Sequence, residues 1–222
     1  MAKLSQLLQK LDKKRLPVHI TPAARLMFET MSSALGGLHG LIFGQLIKPT
    51  WTDIVLNLIG EKGHVFDPLL HNTVNATVLH GSDKFNVIPS EVSVELDGRL
   101  LPGYKPDDMI AELRKIIGPD VELEVLRYDP GPAEPDMGLF DKLANILNEF
   151  DPKGIPVPLL LSGASDARFF SRLGIQTYGF LPMNLPQNFN FSQTIHAADE
   201  RISIEALEFG TKAIYETLKR FR

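Results

Sequence analysis

The sequence predicts an α/β protein, and three observations carry that prediction. Apolar residues recur first with helical spacing and then with the two-residue alternation of strands. A Pro- and Gly-rich stretch, "DPGPAEPDMG" (Asp129 to Gly138), then interrupts the pattern. Beyond it, helical and extended runs alternate, as they do in α/β sheets.

The elements follow in order. Leu4, Leu7, Leu8 and Leu11 keep the i, i+3, i+4, i+7 spacing of an amphipathic helix. Thr21 as N-cap and Pro22 at the first helical position open a second helix. Ala24, Met27, Phe28, Met31 and Leu35 form its apolar stripe, and Gly36-Gly37 stops it. Residues 38–68 carry mixed signals and are expected to hold helical turns and loop.

Val74, Ala76 and Val78 alternate with polar residues, as do Val92, Val94 and Leu96 beyond the turn "GSDKFN", so an antiparallel pair is predicted. Pro106, Asp107 and Asp108 open a helix carrying Met109, Ile110, Leu113, Ile116 and Ile117 and ending at Gly118. Val121, Leu123 and Val125 read as a further strand. Helix, strand, strand, helix, strand is a ferredoxin-like unit without its first strand.

After the linker come a helix around Phe140 to Leu147 and an extended run "VPLLLS". A short helix after "SGASD", a strand "IQTYGFL" and a last helix from Ser203 complete the chain. On that helix Ile204, Leu207, Gly210, Ile214 and Leu218 share one stripe.

Composition narrows the function classes. The 222 residues are 44% hydrophobic and 23% charged, with a formal net charge of -4. That balance is ordinary for a globular protein and offers no basic footprint for nucleic acid or anionic membrane. No apolar run approaches the ~20 residues of a membrane span. The first residues lack the basic-then-apolar order of a signal peptide, so a cytoplasmic protein is expected. The absence of cysteine leaves only nitrogen and oxygen ligands for any metal.

Three stretches can carry chemistry. In "TIHAADERI", His196 stands near Asp199 and Glu200 in a loop, as a metal ligand would, or as a surface histidine near a helix cap. The other five histidines show no H-x-D, H-x-H or H-E-x-x-H spacing. In "NVIPSEVSVELDGRLLPG", Asn86 precedes a strand and Arg99 ends it. Its guanidinium can grip a carboxylate in a two-pronged contact or pair with Asp97 or Glu95. In "LLLSGASDARFF", Gly163 and Ser165 form a strand-to-helix turn with backbone N–H groups at its edge, or an ordinary helix start.

Taken together and in this order, with "YGFLP" before His196, these stretches resemble the C-terminal part of a zinc-dependent peptidase family. It contains aminoacylase, acetylornithine deacetylase, succinyl-diaminopimelate desuccinylase and the glutamate carboxypeptidases. The resemblance runs from about Leu4 to the end. It implies a two-zinc α/β catalytic domain interrupted by a ferredoxin-like lid that dimerises. Residues 1–130 would be that lid without its first strand, and residues 131–222 the C-terminal part of the catalytic domain.

By the same resemblance His196 is the last zinc ligand and Arg99 grips the substrate carboxylate. Asn86 helps hold the substrate or lid backbone, and Gly163 and Ser165 line the pocket. The family's H-x-D pair, bridging Asp, Glu-Glu pair and further acidic ligand have no counterpart here. They are expected in a preceding half, with the glutamate that acts as general base, so this chain alone is expected to be catalytically incomplete.

The implied activity is hydrolysis of an amide or peptide bond next to a free carboxylate by zinc-bound hydroxide, with cobalt or manganese as alternative metals. Small peptides or N-acyl amino acids are the implied substrates and a homodimer the implied assembly. A non-enzymatic ferredoxin-like module for dimerisation or small-molecule binding is the competing reading. The incomplete ligand set favours it, and His196 with its acidic neighbours opposes it.

Overall fold

The computed structural model describes residues 2–131, 134–163 and 165–221. They divide into two compact units, Met1–Pro135 with Pro158–Ile175, and Asp136–Val157 with Gln176–Arg222. Helices and a small antiparallel sheet mix in the chain, as expected for its α/β class.

In the first unit α1 (Ala2–Lys13) leads to α2 (Pro22–Leu35). The Thr21 side chain accepts a 3.1 Å hydrogen bond from the Ala24 N–H, and Gly36 at φ 58° ends α2. The segment that follows is more helical than its mixed signals suggest. It forms α3 (Gly37–Gln45), α4 (Pro49–Ile59), a 3₁₀ segment (Gly60–Phe66) and α5 (Asp67–Leu70). Pro49 starts α4 and Gly60, at φ 66°, ends it. Phe28, Phe43 and Phe66 close an aromatic triangle with ring centroids 5.5–6.3 Å apart.

β1 (Thr73–His80) pairs antiparallel with β2 (Ser93–Arg99), as the alternation predicts. The register runs from Thr73 opposite Arg99 to His80 opposite Ser93, with an irregularity between Ala76 and Val78. Residues 81–92 connect the two strands. α6 (Pro106–Ile117) packs Met109 and Leu113 with Leu16 into a core that Val74, Leu96, Leu100 and Leu123 border.

Gly98 permits this close approach, since a Cβ there would meet the Met109 sulfur at 2.7 Å. Arg114 donates to the carbonyls of Gly118 (3.3 Å), Pro119 (3.2 Å) and Val121, tying down the chain after α6. α8 (Ala167–Ser171) also belongs to this unit.

The strand expected over Val121, Leu123 and Val125 is not formed, and β1 and β2 are the only strands among the described residues. Leu123 packs on the α6 core, but a guanidinium rather than a neighbouring strand takes the Val121 carbonyl. "VPLLLS" and "IQTYGFL" are likewise not strands. Leu159, Leu161 and Leu181 are exposed instead of buried between layers.

In the second unit α7 (Phe140–Phe150) packs on α10 (Ile204–Arg220); α9 (Phe191–Thr194) is a single turn. The Ser203 hydroxyl accepts from the Ala206 N–H and caps α10. The buried face of α10 shares only Gly210 with the predicted stripe. Ala206 and Ala213 are buried with it, whereas Ile204 is 72% and Leu218 70% exposed.

Small residues allow the chain to approach closely, and the Pro182 carbonyl would lie 2.6 Å from a Cβ at Gly210. Gly210→Ala is therefore expected to destabilise the protein by about 1–3 kcal/mol, read in a denaturant melt. An unchanged midpoint would show that this approach is not tight.

Candidate functional site

Arg99 ends β2, so its direction is set by the ladder that pairs it with Thr73. Its Nε donates to Asp97 Oδ2 at 3.2 Å, and its Nη1 reaches the Ser162 carbonyl at 3.5 Å. Of the two expected carboxylate partners, Asp97 makes the contact; Glu95 bonds His80 at 2.8 Å instead. The Arg99 side chain is 49% exposed, and a guanidinium has five N–H donors, so a further carboxylate can still be received. The Ser162 contact brings Arg99 to the start of the Gly163 turn.

The chain that follows that turn is anchored at α8. Ser165 is exposed and its carbonyl accepts from the Arg168 N–H at 3.3 Å; residue 164 lies outside the described residues. Asp166 precedes α8 without a side-chain capping bond. The Asp129 carboxylate meets Arg127 at 2.7 Å, Arg168 at 3.7 Å and Arg172 in a short contact, tying α8 to the first residue of the linker.

Burial pushes the Asp129 carboxyl up, but hydrogen bonds and charge from Arg127 and Arg172 outweigh it and hold it below the ordinary aspartate value. A depressed carboxylate contributes stability above its unfolded value and loses it as pH falls through the folded one. These ties therefore persist through neutral pH and fail only in acid. Residues 132 and 133 of the linker lie outside the described residues.

Asn86 is exposed in the connection between β1 and β2, beside Phe85 and Ile88, which are 105% and 89% exposed. No hydrogen bond joins it to Arg99 among the described residues.

Three polar residues beneath the end of β2 escaped the motif reading. Asn72, 1% exposed, accepts from the Leu101 N–H at 2.9 Å and donates to Glu112 at 3.3 and 3.4 Å. His19 Nε2 lies 2.5 Å from Glu112 Oε1, and its ring stands 4.2 Å from that of Tyr104. Burial first, and then the charges of Glu112 and Asp108, push the Tyr104 hydroxyl up. A sequence signal for Glu112 did exist. It falls three residues after Met109 and four before Ile116, which places a carboxylate on the buried face of α6.

His196 belongs to the second unit, after α9. It sits at φ 59°, the single non-glycine with positive φ among the described residues. Such a backbone costs about 1–3 kcal/mol and concentrates at functional positions. The imidazole is exposed, and its neighbour Asp199 pairs with Arg201.

Among the described residues no three His, Asp or Glu side chains gather as a metal-holding group. A zinc ion needs three or four protein ligands, so the described residues do not fit a complete zinc site and His196 offers one donor. The chain by itself is expected to retain well below one zinc per molecule after gel filtration. A tightly held pair of ions would show that further ligands exist here. No described helix is long and apolar enough to cross a membrane.

The chain matches the model of a family described as peptidase family M20/M25/M40 over residues 12–220. It is 27% identical over 181 residues to an N-fatty-acyl-amino acid synthase/hydrolase of Homo sapiens, covering 78% of this chain and 36% of that protein. A probable carboxypeptidase S-like protein of Dictyostelium discoideum is 26% identical over 207 residues, covering 91% and 38%. A succinyl-diaminopimelate desuccinylase of Hydrogenovibrio crunogenus is 26% identical over 180 residues, covering 78% and 44%. The chain thus spans less than half the length of these relatives. No solved structure matches it.

Proposed function

Because the chain belongs to peptidase family M20/M25/M40, we propose that it is the substrate-holding part of a metal-dependent hydrolase that cuts an amide or peptide bond beside a free carboxylate. The observation that carries this reading is Arg99. A half-exposed guanidinium, oriented by Asp97, reaches the residue that opens the Gly163 turn. A carboxylate received there would leave the adjoining acyl group over the Gly163 and Ser165 backbone. Asn86 would hold the substrate or the chain around it.

Residues 1–130 are read as the lid and dimerisation domain of a homodimer, and residues 131–222 as the C-terminal part of the catalytic domain. His196 is assigned as one ligand of a two-zinc centre, with cobalt or manganese as substitutes. When bound, zinc supplies Lewis acidity and an activated water. The activity is that of the protein in which this chain stands beside a complete ligand set and a general base. On its own the chain is expected to be inactive.

N-acyl amino acids and small peptides are the proposed substrates, since the named relatives include an N-fatty-acyl-amino acid synthase/hydrolase and a succinyl-diaminopimelate desuccinylase. The cytoplasm is the expected compartment. The test compares N-acyl amino acids with their carboxamides as substrates of the active enzyme. A strong preference for the free acid is expected, and equal rates would refute the reading.

A further inference from the structure

The buried polar cluster beneath the end of β2 has no part in the assignments above. Asn72, Glu112 and His19 come from three separate segments, and Asn72 and Glu112 are 1% and 6% exposed. Burying a carboxylate and an amide is costly unless their bonds are made, and here they are. His19 Nε2 meets Glu112 Oε1, Asn72 Nδ2 meets both Glu112 oxygens, and Asn72 Oδ1 accepts from the Leu101 N–H.

The amide bond falls where the ladder stops. Arg99 is the last residue of β2, paired with Thr73, and Leu101 lies two residues beyond it. Past that point the Leu101 backbone N–H would be buried without a strand partner. Asn72, the residue before β1, supplies the acceptor. Its own orientation is fixed because only the NH₂ group can face the Glu112 carboxylate.

We propose that Asn72 is a positioning residue for Arg99, with Glu112 and His19 as the anchor that fixes the Asn72 amide. The chain Glu112–Asn72–Leu101 N–H then sets the backbone exit of β2 and the direction from which the guanidinium leaves the sheet. This inference rests on the carboxylate-binding role proposed for Arg99. Misplacing a substrate-binding group by about an ångström is enough to weaken catalysis strongly.

The test uses the donor and acceptor chemistry of the cluster. Asn72→Asp keeps an acceptor for the Leu101 N–H but sets a second carboxylate against Glu112. Adding Glu112→Gln restores the match, because the amide it introduces can turn its NH₂ toward the new carboxylate and its carbonyl toward His19. N-acetylleucine and N-acetylleucinamide serve as probes in the active enzyme, and amide hydrogen exchange at Leu101 reads the clamp without activity.

Asn72→Asp is expected to raise KM for the acid roughly ten-fold with little change in kcat, to leave the carboxamide unaffected, and to speed Leu101 exchange. The double variant should recover both. An unchanged acid preference with unchanged Leu101 exchange in Asn72→Asp would overturn the proposal, as would a folded double variant no better than the single one. Should Asn72→Asp not fold, wild-type exchange still decides: Leu101 must be protected like the β1–β2 ladder, and loop-like exchange overturns the clamp. Arg99→Ala is run alongside. If that variant keeps the acid preference, the role proposed for Arg99 fails, and the exchange data still judge the clamp separately.

Discussion

Arg99→Ala is expected to lower kcat/KM of the active enzyme roughly ten- to hundred-fold for substrates with a free carboxylate, because a charge-assisted contact contributes about 1.5–3 kcal/mol. The loss should vanish against a carboxamide, which carries no charge to grip. Arg99→Lys should recover only part of it, since an ammonium cannot reproduce the planar fork.

The opposing expectation also comes from the structure. The Asp97 contact is an exposed ion pair, and such pairs typically contribute ~0–1 kcal/mol. If that pair is the whole role of Arg99, the variants will be slightly less stable and kinetically normal. Steady-state rates on an acid and its carboxamide, with a melting curve to confirm folding, separate the two outcomes.

Phe28→Ala is expected to destabilise the first unit by about 3–5 kcal/mol, the largest stability effect foreseen. Phe28 is fully buried and packs edge-on to Phe66 and at a tilt to Phe43. Truncation removes the transfer contribution of the ring and opens a cavity bounded by aromatic groups that cannot easily collapse. Against a typical domain stability of roughly 5–15 kcal/mol, that is a large share of the margin. Chemical denaturation gives the value, and Phe28→Leu should recover most of it. A change below about 1 kcal/mol would mean that the helices around Phe28 repack freely.

The sequence by itself determined the capped helices. Thr21-Pro22 opens α2 and Ser203 opens α10, because a side-chain oxygen satisfies N–H groups only three residues away. Gly36 and Gly118 end α2 and α6 where the sequence places stops, both at positive φ. The β1–β2 pairing was legible from alternation because one face packs on α6. For the candidate site, the sequence offered His196, Arg99 and the Gly163 turn as residue types in a familiar order.

Only the tertiary structure decided the rest. Alternation at Val121 to Val125 marks an extended chain, but a strand needs a partner ladder. Here the Arg114 guanidinium takes the Val121 carbonyl. On α10 the apolar stripe and the small-residue stripe cross at Gly210, and its close approach to Pro182 buries the small residues Ala206 and Ala213 rather than Ile204 and Leu218.

The same reason applies to Glu95, which bonds His80 on the neighbouring strand rather than Arg99, and to Asn72 meeting Glu112 forty residues away. Caps and turns are closed by bonds within a few residues, so their chemistry is written locally. Sheet partners, buried helix faces and carboxylate partners are chosen by which distant segments meet, which no local pattern encodes.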